Sequence, residues 1–443
     1  MPLTHTPTSS LEWVPEFIQN VRPFIFVRLH DNLLIKRPNQ ATKLNPMGAR
    51  ILKHLLDGGT VEEILTQYGQ DKAPQMADFL LGVRHYLENK LDIFSLNPAV
   101  EKVPFQMKFT DYPVLSELAV TYKCNLRCQF CYAGCNCTTS PTGSDEVLSI
   151  DEFKAIIDKI YLEAQVPSIS FTGGEPSLYK GLPQLVAHAK SHGMRVNLIT
   201  NGTMVTEKLA RELVDSGLDS VQVSLEGVSP AVHNELVQIK GAYGRTRRAI
   251  EYFKALGIHV HTNTTITQLN LNECRLMPSF VKKELGLDKF SMNLLIPTGS
   301  GIIYDHLVVG YAEIGSHLQQ IIEESQKAGV EFMWYSPVPM CMFNTITNGL
   351  GNKGCSACDG LLSVAPNGDV LPCASFDDPV GNLSKAEFRG IWQSTKARMY
   401  RDKELAHDRC KSCEQFHICN GACPLYWRHQ GYAELENLKP PVS

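Results

Sequence analysis

Cys124, Cys128 and Cys131 stand in one short run, Cys124-Asn-Leu-Arg-Cys128-Gln-Phe-Cys131, which constrains the chain more than any other stretch. The run follows an apolar segment, Leu118-Ala-Val-Thr-Tyr122, that reads as a strand. Iron–sulfur clusters are held by thiolates in such short loops. Three thiolates at these spacings wrap three corners of a [4Fe–4S] cube and leave the fourth iron open to chelate a small molecule. A zinc knuckle is the competing use of the triplet. The other cysteines favour the cluster. Of fourteen in 443 residues, none precedes Cys124, five fall within 124–137 and eight lie from Cys341 onward. Cys274 stands apart on an expected helix and reads as a buried apolar residue.

A chain of 443 residues holds more than one domain. Its net charge of -4 gives no reason to expect a nucleic-acid or membrane-surface partner. No apolar run approaches the length of a membrane span. The start, Met1-Pro-Leu-Thr-His-Thr-Pro-Thr-Ser-Ser10, lacks the basic and apolar regions of a secretory signal. These features predict a cytoplasmic protein, in which clustered cysteines serve metal or redox chemistry rather than disulfides.

Residues 1–19 read as a flexible tail. Phe24-Ile-Phe-Val-Arg-Leu29 and Asn32-Leu-Leu-Ile-Lys-Arg37 are β-type runs separated by His30-Asp31, a hairpin signal, with Ala41-Thr-Lys-Leu44 as a third strand. Asn45-Pro46 opens a helix, with Asn as the cap and Pro at the first helical position. Thr60-Val-Glu-Glu63 is a capping box for a second helix. A third, over about 73–90, carries Met76, Phe79, Leu80, Val83 and Tyr86 on one face. This meander and its three helices, with the Arg-Pro…Leu-Asn step at 37–45 and the turn Leu55-Leu-Asp-Gly-Gly-Thr-Val61, resemble the peptide chaperone of pyrroloquinoline quinone biosynthesis. That fold is the RiPP recognition element. The resemblance covers 20–95 and implies a domain that binds a leader peptide. A winged-helix-like α+β packing module without a ligand has the same pattern.

Residues 96–115 read as a linker, and from 117 strand and helix alternate. Strands are expected near 118–122, 167–171, 195–199, 220–225, 258–264 and 289–295, with an edge strand at 330–335. Helices are expected near 151–165, 181–192, 205–216, 243–256, 271–285 and 311–328. Repeated βα units with apolar strands argue for a parallel sheet buried on both faces. In βα barrels the chemistry sits at the C-terminal ends of the strands. The second strand ends in Ser170-Phe-Thr-Gly173-Gly174-Glu175-Pro176. Paired glycines let the backbone approach a ligand and free N–H groups to donate, and Glu175 can accept from an ammonium group.

The CxxxCxxC triplet with an aromatic before its last cysteine, the GGEP motif about fifty residues later and the six βα units together resemble the radical SAM enzymes. The resemblance implies an α/β fold, a partial (β/α)6 barrel, and S-adenosylmethionine (SAM) held at the open iron by its amino and carboxylate groups. It implies Gly173, Gly174 and Glu175 around the methionine amino group and Phe130 near the adenine. Ser224, ahead of Asn201, would face the ribose and the methionine carboxylate. Glu226 takes the place of an aspartate that family members often carry and is a candidate for proton transfer. Asn263 either reaches the cofactor or belongs to a structural polar ladder. Cys135 and Cys137, which the motif does not require, donate sulfur, bind metal or stand by.

The C-terminal part carries Cys355-Ser-Ala-Cys358, a hairpin from Gly368 to Cys373, and then Cys410-Lys-Ser-Cys413, Cys419 and Cys423. Two four-cysteine zinc sites would be the plain structural use of these residues. The series closely resembles the SPASM extension of peptide-modifying radical SAM enzymes, which carries two auxiliary iron–sulfur clusters. By that pattern Cys355, Cys358, Cys373 and Cys423 bind the first cluster, and Cys410, Cys413 and Cys419 bind the second with a cysteine downstream of Cys423. No cysteine follows Cys423 in this sequence. Either Cys341 folds back as the fourth ligand, or the fourth iron takes His417, His429, water or substrate. The whole reads as three parts: a peptide-binding domain at 20–95, a radical SAM core at 116–336 and an SPASM domain at 337–443. The resemblance implies a precursor peptide as substrate and ferredoxin or flavodoxin as reductant. The alternatives are a radical SAM enzyme acting on a tetrapyrrole or another small cofactor precursor, and a non-catalytic iron–sulfur electron carrier. The intact SAM motifs argue against the carrier.

Overall fold

The computed structural model describes residues 11–90, 110–135 and 147–438. The chain divides into two compact units, Met1–Val114 and Leu115–Ser443. Cys137 and most of the expected linker lie outside the described residues.

The first unit opens with helix α1, Val14–Val21, where a tail was expected. Pro15 sits in its first turn, and Val14 and Ile18, one helical turn apart, are buried in the unit's core. Strands β1 (Ile25–Arg28), β2 (Leu33–Lys36) and β3 (Gln40–Lys43) form an antiparallel meander. Its register pairs Val27 with Leu34 and Ile35 with Ala41. Helices α2 (Pro46–Leu56), α3 (Val61–Tyr68) and α4 (Ala73–Leu87) follow. The Asn45 side chain accepts from Gly48 N at 2.7 Å, and the Thr60–Glu63 capping box is complete. Leu34, Leu52, Phe79, Leu80 and Val83 close the core between sheet and helices.

Residues 111–113 depart from the expected linker. Arg28 is fully buried, and its Nε and Nη2 donate to the two carboxylate oxygens of Asp31 at 2.8 Å each. Its remaining donors reach the carbonyls of Pro113, at 2.8 Å, and Tyr112, at 3.0 Å. These carbonyls have no ladder partner, and a buried backbone acceptor must be paired. The planar guanidinium supplies the donors.

The second unit is built on one sheet of ten strands. These are β4 (Leu115–Ala119), β5 (Ser168–Thr172), β6 (Arg195–Thr200), β7 (Ser220–Ser224), β8 (His259–Ile266), β9 (Lys289–Leu294), β10 (Glu331–Trp334), β11 (Leu361–Val364), β12 (Asp369–Leu371) and β13 (Gly381–Asn382). Their order is β10-β9-β8-β7-β6-β5-β4-β11-β12-β13, and β4 to β10 pair in parallel with their sequence neighbours. The first strand begins three residues earlier than expected, so residue 115 belongs to the sheet. Helices α5 (Ile150–Leu162), α6 (Leu182–Ser191), α7 (Glu207–Asp215), α8 (Pro230–Val237), α9 (Ala242–Ala255), α10 (Leu271–Cys274), α11 (Met277–Lys283) and α12 (Tyr311–Ala328) alternate with the strands. The single helix expected over 271–285 is broken between Cys274 and Met277, with Pro278 in the first turn of the second piece.

The C-terminal segment does not stand apart from the barrel. Strand β11 pairs in parallel with β4, Ser363 opposite Glu117, and β12 and β13 continue the sheet antiparallel. Alternation along the strands separates two faces. Leu118, Phe171, Leu198 and Val221 form one buried apolar row across neighbouring strands. Glu117, Ser170, Asn197 and Ser220 form the polar row on the other face, and Asn197 bonds to both serines.

Candidate active site

The Cys124–Cys131 loop leaves the C-terminal end of β4 and is pinned from three sides. Arg127 N and Gln129 N donate to the carbonyls of Val237 and Leu236, at 3.1 and 3.0 Å, at the end of α8. The sequence reading missed α8, although Ser229 and Pro230 are a cap and a first-turn proline. Ser300 N donates to Cys131 O at 2.9 Å. A Cβ on Gly299 would lie 2.4 Å from that same oxygen, and Gly299 has a φ of +53°, so only glycine passes there. The third brace is Asn201. Its Nδ2 donates to Asn125 Oδ1 at 3.2 Å and lies 3.9 Å from Cys124 Sγ. Its Oδ1 accepts from Thr203, which in turn receives Asn125 Nδ2 at 2.7 Å.

The glycine pair lets its turn pack against the backbone that leads into the thiol loop. Gly174 N and Glu175 N donate to the carbonyls of Thr121, at 2.7 Å, and Lys123, at 2.9 Å. A Cβ on Gly173 would stand 2.1 Å from Thr121 O, and one on Gly174 would stand 2.4 Å from Lys123 O. The glycines let two backbones touch, and the Gly174 N–H is spent on that contact. Glu175 is fully buried. Its Oε1 accepts from Ser177 N and Oγ and from Thr200 Oγ1, and its Oε2 accepts from Asn201 N at 2.8 Å. The carboxylate therefore ties the GGEP turn to the end of β6, with acceptor capacity left on Oε2.

Phe130 packs against the apolar cluster of Leu236, Leu295 and Leu307. Ser224 ends β7 opposite Asn263. Asn263 is part of a polar ladder: it accepts from Ser291 Oγ and donates to Asn293, each at 2.8 Å. Glu226 is buried two residues beyond β7. Its Oε2 accepts from Thr265 N at 2.8 Å, and its backbone N donates to His233 Nδ1 at 3.1 Å. Burial raises its carboxyl to about 8. In the metal-free chain burial also raises Cys124 to about 11 and Cys128 well above the usual thiol range. A hydrogen bond from Cys135 lowers Cys131. Metal must displace protons from such thiols to bind.

Two further thiol groups form in the C-terminal part. Cys355 lies within electrostatic reach of Cys358, Cys373 and Cys423, and Cys373 of Cys423. Cys358 N is held by Pro372 O at 2.9 Å, and Cys423 N by Tyr311 Oη at 3.3 Å. Two buried cations stand over this group: Lys403 Nζ donates to Cys355 O at 2.6 Å and Arg401 Nε to Cys358 O at 2.9 Å. Sequence reasoning missed both, and no local pattern marks them. Their buried positive charge suits a cluster whose four thiolates make it an anion. The second group gathers Cys410, Cys413, Cys419 and Cys341.

A small cavity with room for about one water is lined by Glu117, Tyr122, Tyr132, Thr172, Ser363 and Ala374, so it borders the residues next to Cys131 and Cys373. Glu117 accepts there from Ser363 Oγ and from the backbone N–H of Ala374, next to Cys373.

Residues 118–278 match the model of the radical SAM superfamily, and residues 333–414 match that of the SPASM iron–sulfur cluster-binding domain. The chain carries a radical SAM domain followed by a SPASM domain. It is a radical SAM enzyme that binds SAM and a [4Fe–4S] cluster in the first domain and auxiliary iron–sulfur clusters in the second. Among its relatives, an AdoMet-dependent heme synthase of Methanosarcina barkeri is 28% identical over 335 residues, covering 70% of this chain and 91% of the relative. A PqqA peptide cyclase of Bradyrhizobium diazoefficiens is 25% identical over 332 residues, covering 70% and 81%. The fold is that of Streptococcus suis SuiB, crystallised with its precursor peptide SuiA: the TM-score is 0.67 at 16% identity, over 95% of this chain and 97% of that one. No described helix is long and apolar enough to cross a membrane.

Proposed function

We propose that this radical SAM enzyme modifies a ribosomally made precursor peptide whose leader is held by the N-terminal unit. The observation that carries the reading is the extent of the fold match. The two sequence relatives cover 70% of the chain, whereas the SuiB structure covers 95%. Met1–Val114 is about a quarter of the chain, so a 95% match takes in most of it. In that unit β3 is an edge strand, and such an edge offers backbone groups for an added peptide strand.

In this reading Cys124, Cys128 and Cys131 hold the [4Fe–4S] cluster. When bound, the cluster supplies the electron that cleaves SAM to methionine and a 5′-deoxyadenosyl radical. Asn201 and α8 keep the thiol loop in place. The Oε2 of Glu175 remains available to the methionine ammonium, Ser224 faces the ribose or carboxylate, and Phe130 backs the adenine. Glu226, protonated through much of the neutral range, holds a proton beside the Cys128 loop. Cys355, Cys358, Cys373 and Cys423 hold the first auxiliary cluster. A ferredoxin or flavodoxin supplies the electron, in the cytoplasm.

The test compares the full chain with a chain lacking Met1–Val114. Each is loaded anaerobically and given a peptide encoded by a neighbouring short reading frame. The full chain modifies the peptide by mass spectrometry. The shortened chain still forms 5′-deoxyadenosine but leaves the peptide unchanged. Equal processing by both sinks the reading. A second reading, a tetrapyrrole or other small substrate, rests on the heme synthase relatives. It predicts 5′-deoxyadenosine formation stimulated by a porphyrin and indifferent to the peptide.

A further inference from the structure

We propose that Cys341 is the fourth ligand of the second auxiliary cluster, so that this cluster is closed by a residue reaching back from the barrel's last strand rather than left open to substrate. The inference rests on the SPASM domain's binding of auxiliary clusters and is independent of the peptide reading. The thiol stands on a rigid turn. The chain leaves β10 at Trp334, and the buried Ser336 accepts from Leu294 N at 2.8 Å, anchoring the exit to β9. Val338 is buried two residues later. Met342 N and Phe343 N both donate to Pro339 O, at 2.9 and 3.0 Å, which folds residues 339–343 into a turn around Cys341. The Phe343 ring lies against Gly315 of α12, where a Cβ would approach it to 3.1 Å.

That turn is delivered to the other three thiols. Met340 N donates to Cys419 Sγ at 3.4 Å, so the residue before Cys341 touches one of them. Such N–H···S contacts are among the features that tune iron–sulfur clusters. The charge of Cys341 is felt at Cys410, and those of Cys413 and Cys419 are felt at Cys341. On the far side, a Cβ on Gly421 would come within 3.3 Å of Cys410 Cβ, so the chain passes close behind that ligand. Arg409 fixes the segment that follows by donating to the carbonyls of Leu435, at 2.7 Å, and Leu438, at 2.9 Å. Four soft donors on fixed backbone, with no carboxylate among them, suit iron–sulfur chemistry.

Two consequences follow. With Cys341 in place both auxiliary groups have four thiolates of this chain, so neither offers an iron to a substrate atom. The second cluster also becomes covalently continuous with β10 and the barrel.

The experiment uses the full chain with Cys124, Cys128 and Cys131 replaced by Ala, so that only the auxiliary clusters remain. Iron, acid-labile sulfide and low-temperature EPR are measured after anaerobic loading, with and without Cys341→Ala. The proposal expects about eight irons per chain before the substitution. After it, about four irons are lost, or the count stays and the EPR of one cluster shifts and responds to added imidazole. Unchanged iron and unchanged EPR overturn it. A second measurement needs no variant. In the loaded wild-type chain Cys341, exposed in the metal-free structure, should resist iodoacetamide and become reactive once a chelator strips the iron. Equal alkylation of Cys341 before and after stripping also overturns the proposal.

Discussion

The two C-terminal groups of four cysteines stand in opposite surroundings. In the first, Cys355, Cys358 and Cys423 are buried, and two buried cations, Lys403 and Arg401, donate to the carbonyls of two ligands. In the second, Cys341 and Cys413 are exposed, and the neighbouring cations Lys411 and Arg409 lie in exposed pairs or on C-terminal carbonyls. A cluster with four thiolates is an anion wherever it sits. Where water is excluded the protein must supply the compensating charge, and where water is present it need not. The first group is thereby enclosed, and the second is open to solvent.

The largest expected effect removes the buried compensation. Lys403→Met deletes the donor to Cys355 O and removes the ammonium 3.6 Å from Asp359. Breaking a buried pair costs about 3–5 kcal/mol. Anaerobic urea unfolding of the loaded chain should show this loss, and the first cluster should become harder to reduce. A variant as stable as the wild type would mean that solvent reaches this group after all.

The barrel supplies a buried group with no compensation at all. His233 is almost wholly buried, its Nδ1 accepts from Glu226 N, and its Nε2 has no partner among the described residues. Burial lowers its pKa from 6.5 to about 4. The unfolded chain therefore binds a proton below pH 6.5 that the folded chain refuses until about pH 4. Stability falls as pH drops through that window, by on the order of 3 kcal/mol. His233→Gln keeps an acceptor for Glu226 N and should flatten this part of the profile. An unchanged acid slope would place the proton elsewhere.

Iron removal should separate the two groups in time. On slow chelation, Cys413 and Cys341 should become alkylated before Cys358 and Cys423, read by mass spectrometry of quenched samples. The reverse order would contradict the difference in exposure. The smallest effect is at the exposed group: Lys411→Met loses an ion pair with Asp408 at 3.5 Å that is open to water. Such pairs contribute below about 1 kcal/mol, so the unfolding midpoint should barely move.

Legibility in the sequence followed the distance between the residues concerned. The CxxxCxxC run, the Asn45 cap and the Thr60–Glu63 box each lie within eight residues, and the structure forms the cap and the box as expected. The βα alternation was legible because buried parallel strands are continuous apolar runs. The GGEP turn was legible as a motif but not in its contacts, because the need for glycine comes from carbonyls of Thr121 and Lys123 about fifty residues away. Helix α1 was overlooked because a tail and a short terminal helix differ only in whether a core receives Val14 and Ile18.

The amino-acid sequence alone determined the chemistry this chain can carry: which thiols exist, which lie close enough along the chain to act together, and which strand ends present them. Local spacing decides these because backbone geometry over a few residues leaves little freedom. Only the tertiary structure decided how distant groups were shared. It placed β11 beside β4, sent Cys423 to Cys355 instead of its neighbour Cys419, and set Lys403 and Arg401 over the first group. It also carried Cys341 to Cys410 and Cys419 across about seventy residues. Such meetings depend on how the elements pack, and side-chain packing depends on neighbours that no single stretch of sequence contains.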